Sequence, residues 1–175
     1  LRTSALGGAA AASTTLAAPA YAQGNRELTL VTSVPDGFAI FDDAAEFAIA
    51  KIEAITDGAL TFNKMPAGSL VGAFEVFDAV SAGQADVYHS AEYYFLNQHP
   101  AFAFFTSVPF GMTAQEMSNW YYRRGGAEQH AELSSLFNLR TFMCGSTAMQ
   151  PGGWFNTEIN SAEDLQGLRF RMPGQ

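Results

Sequence analysis

The 175-residue chain sets 17 acidic side chains against 9 basic ones, a net charge of −8. It has no basic stripe, which excludes a nucleic-acid binder. Hydrophobic residues make up 48 % of it, with 15 Phe, so it can bury a core and does not read as disordered.

Leu1 to Ala22 lacks acidic residues, is dominated by Ala, Gly, Ser and Thr, and ends Ala20-Tyr21-Ala22 before Gln23. That small-x-small ending reads as a cleavage site, and residues 1–22 as the remnant of an export signal whose charged start is missing. Residues 23–175 then belong in the periplasm or outside the cell. The apolar run is shorter than the ~18–20 residues of a membrane span, so the protein is not expected to span a membrane itself. Leu1 is not an initiator Met and Gln175 directly follows an apparent strand, so the chain reads as a piece cut at both ends.

Glu27–Ser33 alternates apolar and polar residues and is predicted to be a strand, closed by the turn Val34-Pro35-Asp36-Gly37. Phe38–Thr56 has the spacing of a helix with a wide buried face, ended by Asp57-Gly58. A strand over Ala59–Met65, a loop over Pro66–Ser69, a helix over Val71–Ala82 and a short strand over Ala85–Tyr88 follow. This β-α-β-α-β order predicts a mainly parallel sheet flanked by helices. The aromatic tract Ser90–Met112, interrupted by Pro100, Pro109 and Gly111, reads as loop and short strand. Thr113 and Glu116 form a capping box opening a helix with Met117, Trp120 and Tyr121. The pair Arg123-Arg124 falls at that helix's end, where cations suit the dipole. A helix over Ala127–Leu136, a strand over Leu139–Cys144, a single turn from Ser161 to Gly167 and a last strand over Leu168–Met172 complete the reading.

The sequence holds no G-x-S-x-G, H-E-x-x-H or P-loop. Cys144 stands alone, so no internal disulfide forms, and its Phe142-Met143 flank predicts a buried small hydrophobe. His89, His99 and His130 lack metal-ligand spacing; His130 lies among polar helix residues and reads as solvated, while His89 faces the aromatic tract. What remains points to recognition of a small carboxylate. Strand alternation puts Arg169 and Arg171 on one face, and a guanidinium takes a carboxylate in two parallel hydrogen bonds. An exposed edge-strand arginine fits the same pattern. Gln150 offers an amide for a cation or a carboxylate, or serves the turn. Pro151-Gly152-Gly153 permits a close backbone approach, and Trp154 either walls a pocket or packs in the core. Tyr93 and Tyr94 would point opposite ways if extended.

At these residues the chain resembles the solute-binding subunits of tripartite ATP-independent periplasmic (TRAP) transporters, the DctP-type family. Asp164-Leu-Gln-Gly167-Leu-Arg-Phe-Arg171 resembles the family signature that ends in a carboxylate-clamping arginine, and the loop Ala67–Leu70 and the tract Gly83–Asp86 resemble other landmarks. The segments Ala91–Phe95, His99–Phe102, Val108–Gly111 and Gln150–Phe155 resemble the branch that binds 2-oxo and 2-hydroxy monocarboxylates with a metal cation.

The resemblance implies an α/β, periplasmic-binding-protein-like lobe over residues 23–175, reaching the start of a crossover to a second lobe that is largely missing. It implies a non-enzymatic receptor with no catalytic cofactor. Arg171 would hold the ligand carboxylate and Gln150 a Na⁺ or Ca²⁺ ion, with Tyr93, Tyr94, Trp154 and Phe155 lining the pocket. The implied partners are a small carboxylate and the TRAP membrane subunits; a homodimer stays open. The rival readings are a dicarboxylate or sugar-acid receptor, a ligand-sensing domain, and a periplasmic α/β enzyme.

Overall fold

The computed structural model describes residues 24–148 and 150–170. The expected export segment, 1–22, and Arg171 lie outside the described residues.

Three parallel strands form the sheet: β1 (Arg26–Thr32), β2 (Leu60–Met65) and β3 (Val87–His89), in the order β2-β1-β3. β1 is central, with Arg26 opposite Leu60 on one side and Leu30 opposite Val87 on the other. Helix α1 (Phe41–Ile55) connects β1 to β2, and α2 (Val76–Ser81) connects β2 to β3. α3 (Ala114–Arg123) and α4 (Gly126–Ser135) follow two 3-10 turns, Glu92–Phe95 and Pro100–Phe105. The expected α/β order and parallel sheet are present.

Burial along β1 deepens toward its C-terminal end, where Val31 and Thr32 are fully covered. The core gathers Val31, Val76, Phe77, Ala85, Phe95, Phe102 and Leu133. Phe77 is its hub: its ring lies 4.9 Å from Phe95, 5.3 Å from Phe137 and 5.5 Å from Phe102, the last two edge-on. Tilted and edge-on contacts match the ring quadrupole and add to the area each ring buries.

Several elements differ from expectation. Residues 71–75 turn rather than extend α2, because the Glu75 carboxylate captures the Gly72 N–H at 2.9 Å. Phe74 is therefore exposed and meets Tyr94 edge-on at 5.0 Å. The buried face of α1 is narrow. The helix packs on β2, an edge strand, which covers Ala45 and leaves Phe47 and Ile55 in solvent. The aromatic tract forms the two 3-10 turns and no strand: Pro100 opens the second, and the His99 ring nitrogen accepts from the Ala101 N–H at 3.1 Å. Residues 139–144 and 168–170 form no strand, because no strand among the described residues pairs with them. Cys144 is exposed as a residue on this unpaired segment, with its thiol over the Ala44 carbonyl at 3.7 Å. His130 is buried rather than solvated, since the second 3-10 turn lays Phe105 flat on its ring at 4.2 Å.

Candidate functional site

Open α/β sheets place ligands beyond the C-terminal ends of their strands. Here those ends carry an ionic knot. Lys64, near the end of β2, reaches Asp42 at 2.6 Å, Glu46 at 2.6 Å and Asp36 at 3.0 Å. Burial works against the lysine charge, but the hydrogen bonds it donates to Asp42, Glu46 and Asp36 override this and raise its pKa. The Lys64 hydrogen bond, then the Gly37 N–H at 2.7 Å, holds the Asp42 carboxyl below the ordinary aspartate range. The knot ties the β1–α1 turn to β2, and with three carboxylates around it Lys64 is not available to a ligand anion. Nearby, Ser33 donates to Ser90 and joins the ends of β1 and β3. His89 packs edge-on to Phe41 at 6.0 Å, and burial lowers its pKa. Sequence reasoning missed this knot. The Asp42/Glu46 spacing of one helical turn, with a lysine at a strand end, was the available signal.

The second polar centre is a concavity of about 590 Å³ lined by Gln150, Pro151, Gly152, Gly153, Trp154, Arg169 and Phe170. The structure thus brings Gln150, Trp154 and Arg169 together. The 3-10 turn Glu163–Leu165 returns the chain to this place. Its start is fastened by Asp164, whose carboxylate accepts from the N–H groups of Asn160 and Ser161, both at 2.9 Å. Gly167 adopts φ +79°, as the turn requires. Phe155 stacks on Phe170 at 5.0 Å behind the concavity. A Cβ on Gly153 would stand 2.3 Å from the far edge of the Phe170 ring, so a larger residue there must displace that ring. Trp154 is 88 % exposed, which places it at the rim and not in the core.

The Gln150 amide nitrogen donates to the Thr147 hydroxyl at 2.9 Å, which leaves its oxygen to accept from or ligate another group. That oxygen is the hard donor that Na⁺ or Ca²⁺ takes, but such ions need several more. Among the described residues no cluster of three or more His, Cys, Asp or Glu could hold a metal. The described lobe fits the cation in kind of donor and falls short in number.

Tyr93 and Tyr94 sit on the first 3-10 turn, their rings edge-on at 4.6 Å, and neither lines the Gln150 concavity. A separate cavity of about 530 Å³ lies between the second 3-10 turn and α3, lined by Phe104, Phe105, Val108, Met112, Met117 and Trp120 among others. Its lining holds no charged side chain to meet a carboxylate. No helix among the described residues is long and apolar enough to cross a membrane.

A three-stranded parallel α/β lobe thus presents an amide, an indole and a guanidinium around one concavity. The chain belongs to the bacterial extracellular solute-binding protein family 7, the DctP family, whose model matches residues 30–175. It is 40 % identical over 145 residues to a monocarboxylate 2-oxoacid-binding periplasmic protein of Nostoc sp. PCC 7120, a match covering 83 % of this chain and 40 % of that one. A TRAP periplasmic solute-binding protein from Pseudoalteromonas atlantica, with bound sodium and pyruvate, superposes with a TM-score of 0.79 at 38 % identity, over 82 % of this chain and 44 % of that one. Another, from Colwellia psychrerythraea with bound calcium and pyruvate, gives 0.79 at 36 % identity, with the same 82 % and 44 % coverage. The chain therefore spans less than half the length of these relatives.

Proposed function

We propose that the protein is the extracytoplasmic receptor of a TRAP-type secondary transporter. It captures a small 2-oxo or 2-hydroxy monocarboxylate with a bridging Na⁺ or Ca²⁺ and delivers it to membrane subunits. It binds and releases, and catalyses nothing. The observation that carries the reading is the concavity that unites Gln150, Trp154 and Arg169 in a chain 36–40 % identical to proteins named for 2-oxoacid binding or holding pyruvate. In this reading Arg171 clamps the carboxylate, the Gln150 oxygen is one cation ligand, and Trp154, Phe155, Tyr93 and Tyr94 wall the ligand. A ligand that touches both lobes only when they are closed favours the closed state. Export with cleavage between Ala22 and Gln23 places the receptor in the periplasm.

Calorimetry on the full-length protein tests the proposal. Pyruvate is expected to bind at micromolar strength or tighter, about −8 kcal/mol. Chelation or sodium removal should weaken it, and Arg171→Ala should abolish it while leaving unfolding cooperative. A protein silent to pyruvate and lactate, or an Arg171→Ala variant of unchanged affinity, sinks the reading. Arg169 in the same concavity favours a second reading, a dicarboxylate or sugar acid. Tighter binding of succinate or gluconate than of pyruvate would select it. Light scattering of the same sample reads whether two copies associate.

A further inference from the structure

A buried polar chain runs through the lobe away from both polar centres described above. It begins at Met143 on the unpaired segment that leads toward Gln150. The Met143 sulfur meets the Ser118 hydroxyl of α3 at 3.9 Å, one turn before Tyr121 on the same helix. The Tyr121 hydroxyl lies 3.1 Å from Nδ1 of His130. Nε2 of His130 faces the Glu92 carboxylate at 3.7 Å, and Glu92 also accepts from the Tyr88 hydroxyl at 3.1 Å. The His130 side chain is 5 % exposed and that of Glu92 13 %. Glu92 directly precedes Tyr93, whose N–H donates to Thr106 at 3.1 Å. The two ends of this chain are therefore the two stretches that carry the proposed ligand-binding side chains.

The roles along the chain follow from donor and acceptor chemistry. A carboxylate can only accept, so the nitrogen facing it carries the hydrogen. Nδ1 is then the acceptor and Tyr121 its donor. The Nδ1 contact with Tyr121 is a hydrogen bond, while Nε2 faces Glu92 at ion-pair distance without one. Flat stacking on Phe105 at 4.2 Å fixes the ring plane in which this works.

We infer that His130 is a positioning residue for the ligand site, coupling the segment before Gln150 to the turn that carries Tyr93 and Tyr94 through Tyr121 and Glu92. The inference rests on the proposed receptor function for its consequence, and on geometry alone for the coupling.

Nitrogen NMR of the histidines and residue-resolved amide exchange on the full-length protein test the coupling without any ligand. His130 is expected as the Nε2–H tautomer. His130→Phe, which keeps the ring stack, should speed exchange at both Met143 and Tyr93 while Leu30 and Val31 in β1 keep their protection. His130→Gln, which can still donate toward Glu92, should rescue the Tyr93 end only, and Tyr121→Phe should disturb the Met143 end. Pyruvate affinity in His130→Phe should fall about tenfold, within the range for residues that couple sites without touching ligand. The Nδ1–H tautomer, or exchange altered at one end alone in His130→Phe, overturns the coupling. Unchanged pyruvate affinity in a folded His130→Phe overturns the positioning role. Should the unmodified protein bind no 2-oxoacid, the receptor reading fails and the positioning role with it, while the exchange data still decide the coupling.

Discussion

Asp42 shows how one carboxylate can set a loop. It takes a charge-assisted bond from Lys64 and a backbone bond from Gly37, and only 9 % of its side chain is exposed. Asp42→Ala is expected to cost about 3 kcal/mol in urea unfolding at neutral pH, the range for breaking a buried charged contact. Its pKa is depressed in the fold, so its contribution is complete above the ordinary aspartate value and is lost as pH falls through the lower folded value. The variant should therefore lose stability less steeply than the parent below about pH 4. At Gly153, alanine must drive its Cβ into the Phe170 ring, breaking the stack on Phe155. The overpacking is expected to cost about 1–3 kcal/mol of folding stability, read as a lower midpoint in urea unfolding. The sequence showed the glycine and the arginine fork, because those depend on local chemistry. It hid the partners of Lys64 and His130, which arrive from remote segments and leave no short-range pattern.

Among the elements, α3 was legible because its start is written in four consecutive residues. The Thr113 hydroxyl accepts from the Glu116 N–H at 3.4 Å, while the Glu116 carboxylate accepts from the Thr113 N–H at 2.8 Å. Thr113→Ala should lower stability by about 1 kcal/mol, seen as a melting temperature lower by about 2–6 °C in circular dichroism. Helix α2 was overextended in the reading because Phe74, Phe77 and Val80 keep a helical spacing. Spacing is blind to a glutamate that folds back on a glycine N–H. The strands expected at 139–144 and 168–172 had the right composition, yet a strand is a pairing and not a property of one segment. The described residues offer 139–144 and 168–170 no strand neighbour, and residues 171–172 lie outside the described residues.

For the whole molecule, the order β2-β1-β3 has a kinetic side. The first strand of the chain is the centre of the sheet, and each of its partners lies beyond a helix. A chain emerging N-terminus first can pair one edge of β1 with β2, but the other edge stays open until β3 has appeared. Such non-local pairing closes slowly and leaves unpaired edges in the interim. In pulsed-exchange refolding, protection of the β1 amides should appear together with that of β3 and after that of α1. Early protection of β1 would contradict this order. A lobe built this way keeps one side of its sheet unfinished until the third strand arrives to shut it around the first.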